Sequence, residues 1–240
     1  MKKLLCLIGV GCLFVVSANA TLVVDNFNRV DGDLAGTNPT PGPGGTWTNH
    51  SGSGSFIQIS SGQAVVTHGS GSREDAHTTF AGLSTGLLEA NFDATVNATN
   101  VITGGDYEYF AHFMTEGSFN FRSRLDVVEG TQGGDYTFGI SSGSSTAETI
   151  FPVDFDFGIP INVTLGFDLN TGVGSLTIGA TTISGTGVFL GETLDSFALR
   201  QSFSSLNETI LIDNLNIIPE PGTLALLALG MGAMAIRRRR

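Results

Sequence analysis

After Lys3 the chain contains no lysine, and after Cys12 no cysteine. The missing cysteines exclude a disulfide scaffold and thiol chemistry from everything beyond the first residues. The missing lysines leave Arg29, Arg73, Arg122, Arg124 and Arg200 as the only permanent cations between residues 21 and 218, a span that holds every acidic residue except Glu220. The whole-chain formal charge of −11 understates this acidity, because Lys2, Lys3 and Arg237 to Arg240 sit at the two ends. A field of this sign repels nucleic acid and anionic lipid and suits divalent cations or neutral partners. His50, His68, His77 and His112 show no His-x-x-x-His spacing, which argues against a transition-metal site. No phosphate-cradling loop is present, and no long stretch carries helical periodicity.

Both ends have their own organisation. Met1-Lys2-Lys3 is followed by an apolar run from Leu4 to Val16 and by Ser17-Ala18-Asn19-Ala20. A basic start, a short apolar run and small residues at Ala18 and Ala20 form a signal peptide, with cleavage by signal peptidase expected after Ala20. The run is shorter than the roughly 20 apolar residues a bilayer core needs, which weighs against a permanent membrane anchor. At the other end, Ile218-Pro219-Glu220-Pro221 precedes an apolar run from Leu224 to Ile236 and the cluster Arg237, Arg238, Arg239 and Arg240. By the positive-inside rule, that cluster holds the C-terminus on the cytoplasmic side and leaves the domain outside. The chain therefore divides into a signal segment (1–20), one domain (21–217) and a sorting or anchor segment (218–240).

Within the domain, apolar residues recur at every second position. Leu87 to Val96, Tyr107 to Met114, Phe119 to Val127, Ile161 to Asp168 and Ser175 to Ile178 all alternate. Ser60-Ser61-Gly62-Gln63 and Asn170-Thr171-Gly172 read as hairpin turns between such runs. Asp154-Phe155-Asp156-Phe157 reads as one strand with both phenylalanines inward, and Pro39 to Gly45 as a surface loop of the same unit. About a dozen short strands predict an all-β, antiparallel two-sheet sandwich or barrel.

Asp25-Asn26-Phe27-Asn28-Arg29, then Gly45-Thr46-Trp47, and finally Ile212-Asp213-Asn214 in an alternating strand resemble the concanavalin A-like (laminin G-like) jelly-roll family. The resemblance covers about residues 22 to 218. It implies a two-sheet jelly roll whose first and last strands lie side by side, with carbohydrate bound on one sheet. It also implies a structural calcium near the last strand, for which Asp25 and Asp213 are the candidate ligands, since calcium takes six to eight oxygens.

Arg124-Leu125-Asp126-Val127-Val128-Glu129 resembles the Glu-x-Asp-x-x-Glu strand of laminarinase-like glycosidases on this fold, with Arg124 where the family carries its nucleophile. Retaining hydrolysis needs two carboxyl groups about 5 to 5.5 Å apart, and an arginine cannot attack an anomeric carbon. Hydrolysis is therefore expected to be absent, while Asp126 and Glu129 remain candidates for a sugar site. Aromatic rings stack on pyranose faces, which adds Trp47, Tyr107, Tyr109 and Tyr136. The face shared by Tyr107, Tyr109, Ala111 and Phe113 is either core or groove lining, and His112 is expected on the polar face of that strand.

The C-terminal segment resembles the Pro-Glu-Pro (PEP-CTERM) signal, which implies an exosortase-type sorting enzyme as partner, with Pro219, Glu220 and Pro221 as the recognition element. Three functional readings follow: a non-enzymatic exported cell-surface or matrix protein contacting polysaccharide, a secreted carbohydrate-active enzyme, and a purely structural matrix protein. Transient inner-membrane anchoring by the C-terminal segment is common to all three.

Overall fold

The computed structural model describes residues 20–52, 54–69, 73–103, 108–204 and 208–220. The expected signal helix, the apolar C-terminal helix, Ala18, Tyr107, Pro221 and Arg237 to Arg240 lie outside them. All regular elements among the described residues are strands. They run β1 (Val23–Asp25), β2 (Gly32–Asp33), β3 (Thr48–Ser51), β4 (Ile57–Ser60), β5 (Gln63–Thr67), β6 (Asp75–Leu83), β7 (Leu87–Asn97) and β8 (Glu108–Met114). They continue as β9 (Arg122–Val128), β10 (Thr137–Ser141), β11 (Thr149–Ile150), β12 (Ile161–Asp168), β13 (Val173–Ile178), β14 (Thr181–Ser184), β15 (Leu194–Arg200) and β16 (Thr209–Glu220).

These strands form two antiparallel sheets. The nine-stranded sheet has the order β14-β13-β12-β7-β16-β5-β4-β2, with β1 added on β16; the seven-stranded sheet has the order β11-β10-β9-β8-β15-β6-β3. As the resemblance implied, the first and last strands are neighbours: Val23 pairs with Ile217 and Asp25 with Leu215. Alternation explains the layering. Leu88, Ala90, Phe92, Ala94 and Val96 of β7 point inward, as do Leu125 and Val127 of β9, and Phe92 meets Phe197 of the opposite sheet at 6.1 Å between ring centroids. Truncating such a ring to alanine costs about 3–5 kcal/mol in a packed core.

Two turns form as the sequence predicts. Ser61 and Gly62 between β4 and β5 both have positive φ, 54° and 79°, as a two-residue hairpin loop with right-handed twist requires. Gly172 between β12 and β13 has φ 71°, and a Cβ there would meet the Phe189 backbone at 2.5 Å, so only glycine fits.

Alternation breaks where inward positions change parity. In β16, Ile210 and Ile212 are buried, then Leu215 and Ile217. The register shifts between Asp213 and Asn216, where Asn214 adopts φ 55°, so a bulge takes up the extra residue. In β8 the register shifts between Tyr109 and Ala111, so Phe110, Ala111 and Phe113 enter the core while Tyr109 turns outward with Met114. The expected common face of Tyr109, Ala111 and Phe113 is therefore split.

Two further strand assignments change. Strand β9 begins at Arg122 rather than Phe119, and Phe119 is 71% exposed. The Asp154 to Phe157 segment is not a strand: Phe155 makes an isolated bridge to Tyr136, although both phenylalanines still pack on the core.

Candidate functional site

Asp25 is fully buried, and both of its oxygens are occupied. Oδ1 accepts from the Phe27 amide (2.9 Å), the Thr40 amide (3.2 Å) and Arg29 Nη1 (2.6 Å). Oδ2 accepts from Arg29 Nη2 (3.0 Å) and Trp47 Nε1 (2.8 Å). Trp47 is 0% exposed and tilts against Phe27 at 6.1 Å. Two expectations are corrected here. Asp25 has no free lone pair and faces a guanidinium, so it does not present itself to calcium. Trp47 is core and offers no face to a sugar. The Asp-x-Phe-x-Arg and Gly-x-Trp elements form one hydrogen-bonded knot at the start of the domain.

Asp213 is half-buried, and its Oδ1 accepts from the Asn214 amide at 2.7 Å. It stands directly opposite Asp93, whose two oxygens accept from Asn162 Nδ2 and Asn214 Nδ2, each at 2.9 Å. Burial raises the Asp213 pKa; the Asn214 amide opposes this, and the charges of Asp93 and Asp25 add to it. Among the described residues, no group of three or more His, Cys, Asp or Glu is arranged to hold a metal ion.

The face of the seven-stranded sheet turned away from the core carries the other concentration of polar groups. Pairing across β6, β15 and β8 sets His77, Ala198 and His112 in one row, and Asp75 opposite Arg200 in the next. Tyr109 of β8 stands opposite Asp126 of β9, which faces Gly139 of β10. The guanidinium carbons of Arg124 and Arg200 lie 4.7 and 4.3 Å from the Tyr109 ring centroid. Phe121, in the segment before β9, folds over the His112 ring at 4.2 Å, and exposed Phe119 lies 4.9 Å from His50.

This face is polar yet largely covered. His112 sits on the expected side of β8, and there it is 0% exposed. Burial lowers its pKa well below the usual value, and the Arg124 and Arg200 charges add to the shift. Burial raises Asp75 to about 7, against the pull of Arg200. His112 Nε2 and Asp75 Oδ2 are 3.7 Å apart, too far for a hydrogen bond. With each driven toward its neutral form, we read them as two desolvated neutral groups rather than an ion pair. Neither Asp75 oxygen and neither ring nitrogen of His112 has a hydrogen-bond partner among the described residues. In folded proteins most buried polar side-chain atoms are satisfied, so this concentration sets the face apart from the rest of the sheet.

Of the sequence-predicted sugar residues, Tyr109 and Asp126 belong to this face, although Asp126 is 0% exposed and forms its floor. Glu129 follows the end of β9 and is exposed, so the structure does not align it with Asp126 on one strand face. Tyr136 is fully buried and stacks on Phe157, so it is core. The sequence reading missed Arg200, Asp75, His77 and Phe119. Arg200 carried a signal, being one of few arginines in a lysine-free span.

The sorting segment begins inside the fold. Strand β16 continues through Pro219 and Glu220, which pair with Leu88 and Leu87. Burial, then the hydrogen bond that protonated Glu89 donates to the Glu220 carboxylate and the charge of Glu220, raise Glu89 to about 7.

Comparisons with known proteins agree with both halves of this description. Residues 218–240 match the PEP-CTERM protein-sorting motif. This marks the chain as an exported protein whose C-terminal segment is a sorting signal for exosortase-type processing. No curated protein matches the chain. Among solved structures, the Emp47p carbohydrate recognition domain is similar with a TM-score of 0.53 at 12% identity, covering 84% of this chain and 95% of that one. Peanut lectin, solved with a peptide, is similar with a TM-score of 0.50 at 12% identity, covering 80% and 97%. An alginate lyase of polysaccharide lyase family 7 reaches 0.49 at 12% identity, covering 71% and 85%. At such identities the likeness shows the fold, a two-sheet lectin-type jelly roll.

Proposed function

We propose that this exported protein is a non-enzymatic, glycan-contacting component of the cell surface or extracellular matrix. Its contact surface would be the outer face of the seven-stranded sheet. The observation that carries this reading is the cluster of Arg124, Arg200 and His112 around Tyr109, beside the exposed ring of Phe119. Sugars are recognised by convergent polar groups together with an aromatic face. The Emp47p domain, similar in fold, is a carbohydrate recognition domain, which supports the same class of ligand. Extracellular polysaccharide is the partner in this reading, and no nucleic acid. Signal peptidase removes residues 1–20, and the apolar C-terminal run holds the chain transiently in the inner membrane before exosortase-type processing. Calcium enters only at the opposed Asp213 and Asp93 carboxylates.

Arg124 at the position of the glycosidase nucleophile supports the absence of hydrolysis. A carbohydrate-active enzyme remains the second reading, favoured by one observation: Tyr109 and His112, two groups able to move protons, have ring centroids 5.6 Å apart beside two guanidiniums. The test is a glycan array run in parallel with depolymerisation assays on the purified full chain. Binding without new chain ends is expected. Release of chain ends that is lost in Tyr109→Phe or Glu129→Gln would establish the enzyme instead.

A further inference from the structure

The arginines of this acidic domain are used unevenly. Arg29 is taken up by Asp25 and Arg122 by Glu192, at 2.6 and 2.5 Å. Among the described residues, Arg124 and Arg200 are in no such pair and converge instead on the Tyr109 ring. Arg200 donates to Ser202 Oγ at 2.8 Å, and Arg124 Nε is buried without an acceptor. Both side chains are half-buried, whereas the carboxylates nearest them lie deeper, Asp75 and Asp126 each at 0% exposure. The face is thus layered, with acids beneath and guanidiniums outward. Guanidiniums stay charged at any physiological pH, while burial withdraws charge from Asp75. Beneath them Asp75 and His112, both fully buried, face each other at 3.7 Å without a hydrogen bond.

We propose that this face binds an acidic saccharide, with a carboxylate of the sugar held by Arg124 and Arg200. The inference rests on the glycan reading above and narrows its ligand class. A guanidinium presents paired N–H donors in a plane that matches a carboxylate, and charge-assisted hydrogen bonds of this kind are roughly twice as strong as neutral ones. The domain's overall negative charge does not oppose the contact. Exposed charges farther away than about 8 Å are largely screened at physiological salt, so the two nearby cations decide the local sign. Tyr109, packed under both guanidiniums, keeps them directed at one place.

The test measures binding of the full chain to an array in which each uronic-acid oligosaccharide is matched with its carboxyl-reduced, neutral counterpart. The expected result is at least one acid bound about tenfold or more tightly than its reduced form, equivalent to about 1.4 kcal/mol. Arg124→Gln and Arg200→Gln should each bring the acid down toward the neutral level, with thermal melts confirming that the variants fold. Equal binding of acid and reduced forms, or binding of neutral glycans alone, would overturn the acidic-ligand inference and leave the glycan reading standing. A folded chain that binds no glycan of either kind would overturn both. The comparison of matched ligands uses the unmodified protein, so it holds even if a variant does not fold.

Discussion

Asp25 and Asp75 are both carboxylates at 0% exposure, and they live in opposite circumstances. Asp25 accepts five hydrogen bonds from three separate chain segments, and the tightest comes from a guanidinium. Asp75 accepts none, and its nearest cationic candidate is a buried histidine 3.7 Å away. The same side chain at the same burial is structural where donors saturate it and destabilising where they do not. The under-donated carboxylate shares one sheet face with two further buried titratable groups, His77 and His112.

The sharpest way to break the comparison is at Asp25. Asp25→Ala should lower unfolding stability by about 3 kcal/mol, because it leaves a half-buried guanidinium, a buried indole N–H and two amides without an acceptor. Urea denaturation reads this directly, and a loss below about 1 kcal/mol would show the knot to be incidental.

Asp75→Asn should move stability the other way. The folded pKa of about 7 lies above the ordinary carboxylate value of 3.8, so the folded state holds a proton that the unfolded chain releases. Stability is therefore lost as pH rises from about 4 through 7. The Asn variant should lack that loss and exceed the parent above pH 7 by up to about 4 kcal/mol. His112 acts in the opposite sense: its lowered pKa makes stability fall as pH drops below 6.5, in both proteins. Denaturation midpoints from pH 4 to 8 that stay parallel for the two proteins would erase the contrast between Asp25 and Asp75.

Glu148 tests the satisfied class at the surface. Burial alone would raise its pKa, but the amides of Gly187, Ser142 and Thr186 outweigh that and lower it. Glu148→Gln should cost about 1 kcal/mol near neutral pH. The difference should vanish as pH falls through the depressed pKa, where the parent carboxylate is itself protonated.

The smallest effect is expected at Asp213 and Asp93, directly opposed carboxylates that disfavour each other. Added calcium should raise the melting temperature by a few degrees, through binding to the folded state only. Asp213→Ala should abolish the rise. An identical rise in both proteins would remove calcium from this pair.

Much of the fold was legible because period-2 alternation is a local property. The hairpin at Ser61-Gly62 and the inward face of β7 follow from a few neighbouring residues. The bulges were not legible, since they depend on which strand lies alongside. That is why Tyr109 was grouped with Phe113 when it belongs with His112 and Met114. Asp25 and Trp47 stood out in the sequence as unusual residues, but their roles were set by donors up to 22 positions away. The cationic pair at Tyr109 was half legible. Arg124 was noticed for what it cannot do, and the bridge to Arg200 required the pairing of β15 with β8.

Strand β16 has a mechanical consequence. It pairs with β7 along one side, and with β5 and then β1 along the other, and the sorting segment leaves from its end. A pull on that segment runs along the strand axis, so it strains many hydrogen bonds together in shear instead of peeling them one at a time. The chain emerges for sorting from the most heavily tethered strand in the sheet, and tension on the segment reaches the core before it can loosen an edge.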